Sequence, residues 1–368
     1  MQEANLTKPV FKKSGNDDFF KELHQEVQEI VLINKNIQLR IIYKSIFFIV
    51  LYFIFYICIL LFGNRLQLLY LFYILTGITM ILVFFNTFHD AVHGAVFKAR
   101  KNNEKLTCIL ELFGSNSFIW KKRHLLLHHP YPNMQFWDID VKQSDIVRIF
   151  PDSKWFQFHR YQHIYMWFLY FFYTLNWLLI RDFKDFFGIK DNYVKRVVNI
   201  PKAEYVKLFA AKLFYLLMMI VVPAMALEQP VINIISPFLV MHFVASAFGV
   251  TALLSTHADE DADFPMPPED GIIDTTWAAY QISKTKDFST ESPVANFLFG
   301  GFNHHVAHHL FPAVAHTYYP YITPIIRRHA QKHNLSYRSY PLHEAIRSHF
   351  VLLKKNGSTE NLFATGDL

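Results

Sequence analysis

SIFFIVLYFIFYICILLFGNRLQLLYLFYILTGITMILVFF, residues 45–85, holds two apolar runs, 45–62 and 66–85, parted only by Gly63, Asn64 and Arg65. Each run is near the ~20 residues needed to cross ~30 Å of hydrocarbon, so the stretch reads as a transmembrane hairpin. The composition agrees: hydrophobic residues make up 52% of the 368 and charged residues only 18%, below the soluble share of about 25%. Thirty-eight Phe and 19 Tyr against 12 Gly exclude a low-complexity chain. Cys58 and Cys108 form no C-x-x-C pair, sit in apolar surroundings that suit buried thiols, and imply no disulfide framework. A net charge of +6 could suggest nucleic acid, but the Lys and Arg are scattered among apolar runs without a nucleic-acid module, so no nucleic-acid partner is expected.

Outward from the hairpin, residues 1–44 are polar and charged, unlike a secretory signal peptide, so a cytoplasmic amino terminus is the expectation. Residues 97–163 carry Lys98, Arg100, Lys101, Lys105, Lys121, Lys122 and Arg123, the bias of a cytoplasmic face. Three further apolar runs follow, 164–180, 206–227 and 231–254. If all three crossed, the histidines before and after them would end on opposite sides. The first is short and flanked by Arg160, Arg181, Asp182 and Lys184, as expected of an interfacial helix. The last two are linked by Glu228, Gln229 and Pro230, without Lys or Arg. The expectation is an all-α integral membrane protein: four transmembrane helices, interfacial helices and a cytoplasmic histidine-rich cap. It divides into a cytoplasmic segment 1–44, a membrane domain 45–312 and a helical cytoplasmic tail 313–368.

Nine of the 19 histidines fall into a pattern that this topology gathers on one face. FHDAVHG puts His89 and His93 at i and i+4 on one helix face, and RHLLLHHP does the same for His124 and His128, with His129 beside them. NHHVAHHLFP supplies His305, His308 and His309, and His257 closely follows the last apolar run. One such pair is more often a packing feature than a site. Three clusters and a fourth residue on one face are not explained that way. Neutral imidazole is the commonest protein metal ligand, and nine rings could complete two ions of four or five ligands each. An all-nitrogen shell suits iron, copper, zinc or nickel and excludes magnesium and calcium.

HDAVHG, HLLLHH and HVAHHLFP resemble the three histidine boxes of the membrane-bound fatty acid desaturase family, as do HPYPN after the second box and HTYYPYI after the third. The resemblance covers about residues 45–350. It implies a mushroom of four transmembrane helices under a cytoplasmic cap, with two non-haem iron ions ligated by His89, His93, His124, His128, His129, His257, His305, His308 and His309, and dioxygen as co-substrate. STHADED and GGFNHHVAHHLFP are similar to bacterial acyl-CoA or linoleoyl-type front-end desaturases. Front-end members usually carry Gln where this sequence has His305, and the HVAHH form is more similar to methyl-end enzymes. The implied activity is insertion of a double bond into an acyl-CoA or acyl-lipid. The implied setting is the bacterial inner membrane or the endoplasmic reticulum, with the catalytic face cytoplasmic.

Carboxylates that could orient the imidazoles are Asp90 and Asp138 foremost, then Glu111, Asp140, Asp259, Glu260 and Asp261. Asn303 could hold a water at one metal, and His304 reads either as packing or as a support for the ligating rings. Lys121, Lys122 and Arg123 could meet lipid or CoA phosphates, although simple positive-inside charge explains them equally well. Trp120, Trp137, Trp155, Trp167 and Trp177 could line an acyl tunnel, but Trp more often marks the membrane interface. His242 reads as a polar contact between helices, and His329, His333, His343 and His349 as solvated surface. There is no G-x-G-x-x-G and no haem-attachment motif, so electrons must come from a separate protein; the family implies ferredoxin or a cytochrome b-type haem protein with its reductase. Two rivals stand beside the desaturase: a hydroxylase or ketolase on the same scaffold, and a metal transporter. The transporter is disfavoured because the apolar runs offer little ionisable beyond His242 and Lys212.

Overall fold

The computed structural model describes residues 8–12, 18–188 and 193–358; the outermost parts of the expected terminal segments lie outside these. Among the described residues four helices are long and apolar enough to cross a membrane: Asn36–Phe62, Leu66–Val92, Lys202–Ala226 and Val231–His257. The first starts before the apolar run does, because its polar opening turns are held against the cap: Gln38 Nε2 donates to the carbonyls of Ala95 at 2.8 Å and Val96 at 3.0 Å. The second continues past residue 85 into the first histidine box.

The two inter-helix turns are tied together. Glu228 N donates to Asn64 Oδ1 and Gln229 Nε2 to Asn64 O, both at 2.8 Å. With these turns at one end, His89 and His257 emerge at the other, on the same side. Within the bundle the second and fourth helices cross in close contact at Gly77, where a Cβ would stand 2.7 Å from the Met241 carbonyl oxygen. The third helix contains a π turn, Leu217–Val221. Tyr56 OH donates to Met218 O at 2.8 Å and Tyr73 OH to Met219 O at 2.6 Å, satisfying backbone acceptors where water is scarce and an unmet group costs several kcal/mol. Phe47, Val50, Ile54, Ile57 and Leu61 of the first helix are exposed, the face expected to meet lipid.

The run 164–180 does not cross. It bends into short pieces, Gln162–Tyr170, Tyr173–Asn176 and Trp177–Arg181, rather than lying flat as one interfacial helix. Thr174 at its bend is 2.8 Å from His242 Nδ1, and the Thr174 N–H donates to Ser246 Oγ at 3.0 Å. Both partners lie near the middle of Val231–His257, so the bend is sunk among the long helices. Polar pairing draws it inward. Just beyond, Asp182 pairs with Lys212 of the third helix at 3.0 Å.

The terminal segments close the cap. Asp18–Ile33 packs Phe19, Leu23 and Val27 against Ile322, Ile326 and Ala330 of Tyr319–Lys332, flanked by Glu22–Lys332 at 2.6 Å and Glu26–His329 at 2.9 Å. Leu342–Gly357 buries His349 between the Ala258 carbonyl at 2.7 Å and Tyr170 OH at 2.6 Å. His349 and His329 are therefore interior, not solvated surface; their helices are docked, so their faces are covered. His343 is exposed as expected. Cys108 is exposed rather than buried. Two short parallel pairings, Val10–Phe11 with Ile272–Ile273 and Asp287–Phe288 with Ser339–Tyr340, staple distant loops.

Gly300 presses the third-box turn onto the second long helix. Its φ is +56° and an added Cβ would stand 2.3 Å from the Phe85 carbonyl oxygen. Gly300→Ala is expected to lower stability by at least about 1–3 kcal/mol, read as a drop in Tm of the detergent-purified protein. Gly249→Ala, whose new methyl meets Ile81 at an ordinary 3.5 Å, serves as the near-neutral control.

Candidate metal centre

The second long helix enters the cap through a π turn, Phe84–Phe88, and continues as His89–Val92. A second π turn, His124–His128, follows Ser117–Arg123, and the His129 N–H donates five residues back to His124 O at 2.9 Å. The third box is the helix His305–Leu310. Its amino-terminal end is capped by Asp287, whose Oδ1 accepts from Val306 N at 2.8 Å. Burial pushes the Asp287 carboxyl up to about 7, even with Tyr337 and backbone donors on it.

These elements bring nine imidazoles together in two groups. His89, His93, His124 and His308 form one, and His128, His257, His305 and His309 the other. His129 touches the first, its Nε2 standing 3.0 Å from the Nε2 of both His124 and His308. His124 and His128 share a face as expected, their rings stacked 5.2 Å between centroids, yet they belong to different groups. The π turn also brings His129 Nε2 to 3.0 Å from His124 Nε2, while His128 joins the other group. The third box divides similarly, His308 to one side and His305 with His309 to the other.

The nitrogen geometry is that of ligands lacking a shared proton. His124 Nε2 lies 3.2 Å from His89 Nε2, 3.1 Å from His93 Nε2 and 3.0 Å from His129 Nε2. A ring nitrogen carries at most one hydrogen, so these three contacts cannot all be hydrogen bonds. Nitrogens on one cation at about 2.1 Å and 90–110° stand about 3.0–3.4 Å apart. In the second group His257 Nε2 and His305 Nε2 are 2.7 Å apart, and the buried His309 Nε2 has no hydrogen-bond partner. Each group could hold a metal ion.

Surrounding polar groups set the tautomers. Asp138 places both carboxylate oxygens 3.0 Å from His128 Nδ1, so Nε2 is left as the lone pair. Gln281, fully buried, accepts from His309 Nδ1 at 2.9 Å while its Nε2 donates to His129 O at 3.1 Å, joining the second and third boxes. Nothing in the local sequence marked Gln281 or Asp287; only tertiary packing brings them here. Burial, then neighbouring His128 and Lys121, pulls His93 down to about 3. Burial likewise holds His124, His129, His305, His308 and His309 well below the ordinary range. His128 is opposed by burial but is raised by Asp138.

Other expected residues are placed elsewhere. Asp90 turns to His316, accepting from its N–H at 3.1 Å and lying 2.9 Å from its Nδ1, and no contact joins its carboxylate to a box imidazole. Glu111 holds Ser117 and Lys207, and Asp259 holds Lys286. Asn303 donates to Asn296 Oδ1 at 2.6 Å. His304 contacts Thr323 and Asn296, each at 2.8 Å, which is a packing role. Arg123 cannot reach a head group: its side chain is fully buried, paired with Asp140 at 2.5 Å and with Asp185, and stacked on Trp177. Lys121 and Lys122 remain half-buried beside it. Below His124, His128, His257 and His305 lies a mainly apolar cavity of about 660 Å³, within the ~300–1,000 Å³ typical of ligand sites. Trp120 and Trp177 line it; Trp137, Trp155 and Trp167 do not.

A family model described as fatty acid desaturase matches residues 66–341. The chain belongs to the fatty acid desaturase family. The desaturase is similar to an acyl-lipid (8-3)-desaturase of Physcomitrium patens, 30% identical over 95% of this chain and 74% of the relative. It is also similar to the sn-1 linoleoyl-lipid 6-desaturases of Synechocystis, at 31% identity over 74% of this chain and 76% of the relative, and of Arthrospira platensis, at 28% over 77% and 76%. These relatives identify the chain as a membrane oxidoreductase acting on fatty acids; the hydroxylase and transporter readings give way to it.

The buried neutral histidines of the desaturase link stability to pH. A histidine lowered on folding binds its proton in the unfolded chain first, so stability is full above about pH 6.5 and is lost as pH falls toward the folded value. His93 and His304 at about 3 and His349 at about 4 all act this way. Asp287, raised to about 7, and His128, raised by Asp138, oppose them. Metal-free protein is expected to lose Tm steadily between pH 6.5 and 4, by up to about 1.4 kcal/mol per pH unit for each such histidine.

Proposed function

We propose that the desaturase holds two iron ions, one on His89, His93, His124, His129 and His308 and the other on His128, His257, His305 and His309. The observation that carries this reading is the threefold crowding of Nε2 atoms around His124 Nε2. Bound iron, with dioxygen and two electrons from a separate ferredoxin or cytochrome b-type donor and its reductase, supplies an oxidant able to take hydrogen from an unactivated methylene.

The chain's own residues do the rest. Asp138 and Gln281 keep a proton on Nδ1 of His128 and His309, turning Nε2 inward. Tyr319 OH, 3.4 Å from His308 Nδ1, steadies that ring. The cavity walls hold an acyl chain beside the rings and keep water away, with Phe302 packed 4.6 Å from His89 between ring centroids. The relatives' names support an acyl chain esterified to a lipid, already unsaturated, and a new double bond toward the carboxyl end. The histidine side faces the cytoplasm in this reading, supported by Lys98, Arg100, Lys101 and Lys105 clustered there.

Expressed in a host lacking the product, the chain is expected to yield fatty acids two hydrogens lighter, with no gain of oxygen, by mass spectrometry of total lipids. His308→Ala should abolish this product and deplete iron while the protein still inserts; full activity would remove the di-iron reading. Gln281→Leu should weaken iron retention about 10–100-fold in chelator competition, with insertion unchanged.

A further inference from the structure

We propose that the cavity takes its acyl chain sideways from the bilayer, through a mouth formed by Ile146, Leu179, Ile180 and Lys184, with the Lys184 ammonium meeting a lipid phosphodiester. This rests on the acyl-lipid reading above and adds the route of entry and the head-group contact.

Most of the cavity wall is buried or half-buried; the lining residues that are exposed are those four. Ile146 is 53% exposed, Leu179 57% and Ile180 59%. An opening rimmed by bare aliphatic side chains suits hydrocarbon rather than water. The surface around the mouth continues in the same character: Phe187, exposed, and Phe183 pack on Phe209 at 6.2 and 5.7 Å between ring centroids, and Val206, Phe209 and Leu213 expose the adjoining face of the third long helix. The mouth thus opens where a candidate membrane span presents apolar surface.

Among the described residues that line the cavity, Lys184 is the exposed cation, donating to Gln143 O at 3.2 Å. One ammonium suits one phosphodiester, whereas the several phosphates of a CoA thioester call for a cluster of cations. Lys121 and Lys122 do not line the cavity. The head-group contact therefore sits at the far end of the bent segment, not before the second histidine box.

The test uses the full-length, iron-loaded desaturase in phosphatidylcholine vesicles carrying linoleoyl chains, driven by ferredoxin and its reductase, with linoleoyl-CoA as the competing substrate. Leu179→Trp and Ile146→Trp should cut phospholipid desaturation at least ten-fold at unchanged iron content. Lys184→Gln should raise the apparent KM for phospholipid about five-fold with kcat kept, while the charge-matched control Lys101→Gln changes neither. Wild-type rates in both Trp variants, with phospholipid still the substrate, would overturn the sideways route and leave the acyl-lipid reading standing. Turnover of linoleoyl-CoA but not of phospholipid by the wild type would overturn that reading and this proposal together. If a Trp variant fails to load iron, the Lys184→Gln KM decides, and an unchanged KM overturns the proposal.

Discussion

The desaturase is organised around an electrostatic problem: nine imidazoles are stripped of water and aimed at one another with too few protons to share. Such an arrangement repels itself unless cations sit between the rings, and the surrounding structure is what keeps it assembled. The latch between the two inter-helix turns at Asn64 orients both hairpins, so that the first box and His257 arrive on one side. Gly300 seats the third-box turn on the second long helix, Asp287 caps the helix that follows, and Gln281 bolts it to the second box. No one of these contacts is strong by itself. Together they fix rings that lie more than two hundred positions apart in the chain.

The same logic governs the apolar part. Where the third long helix widens into a π turn, two tyrosines from neighbouring helices reach the displaced carbonyls. Where the bent segment sinks among the long helices, Thr174, His242, Ser246 and Tyr215 satisfy one another. These polar groups inside the bundle thus satisfy one another, which lets an otherwise greasy scaffold place a cavity wall and a chain reversal deep within itself.

Much of this was legible in the sequence. Apolar runs of sufficient length named the four long helices, and the demand that all the boxes share a side singled out residues 164–180 as the run that does not cross. The identity of the nine converging imidazoles was equally legible, because i, i+4 spacing survives most local distortions. Their partition was not. A π turn looks like an ordinary helix in sequence, so the regrouping of His124 with His129 could not be read from HLLLHH. Asp90 was legible as a carboxylate near the rings but not as a partner of His316, 226 positions away. Arg123 looked like surface charge beside Lys121 and Lys122; only the fold reveals that Asp140 and Asp185 enclose it.

The widened turn at His124–His128 also limits how this box can be transplanted. On an ideal α-helix, positions five apart point about 140° away from each other, so HLLLHH copied onto a straight scaffold would aim its first and last rings at different neighbours. Shortening the box by one leucine would not preserve the native arrangement either, since it would remove the backbone expansion that separates His128 from His129. The motif is thus a property of a distorted helix, and its portability depends on carrying the distortion along with the letters.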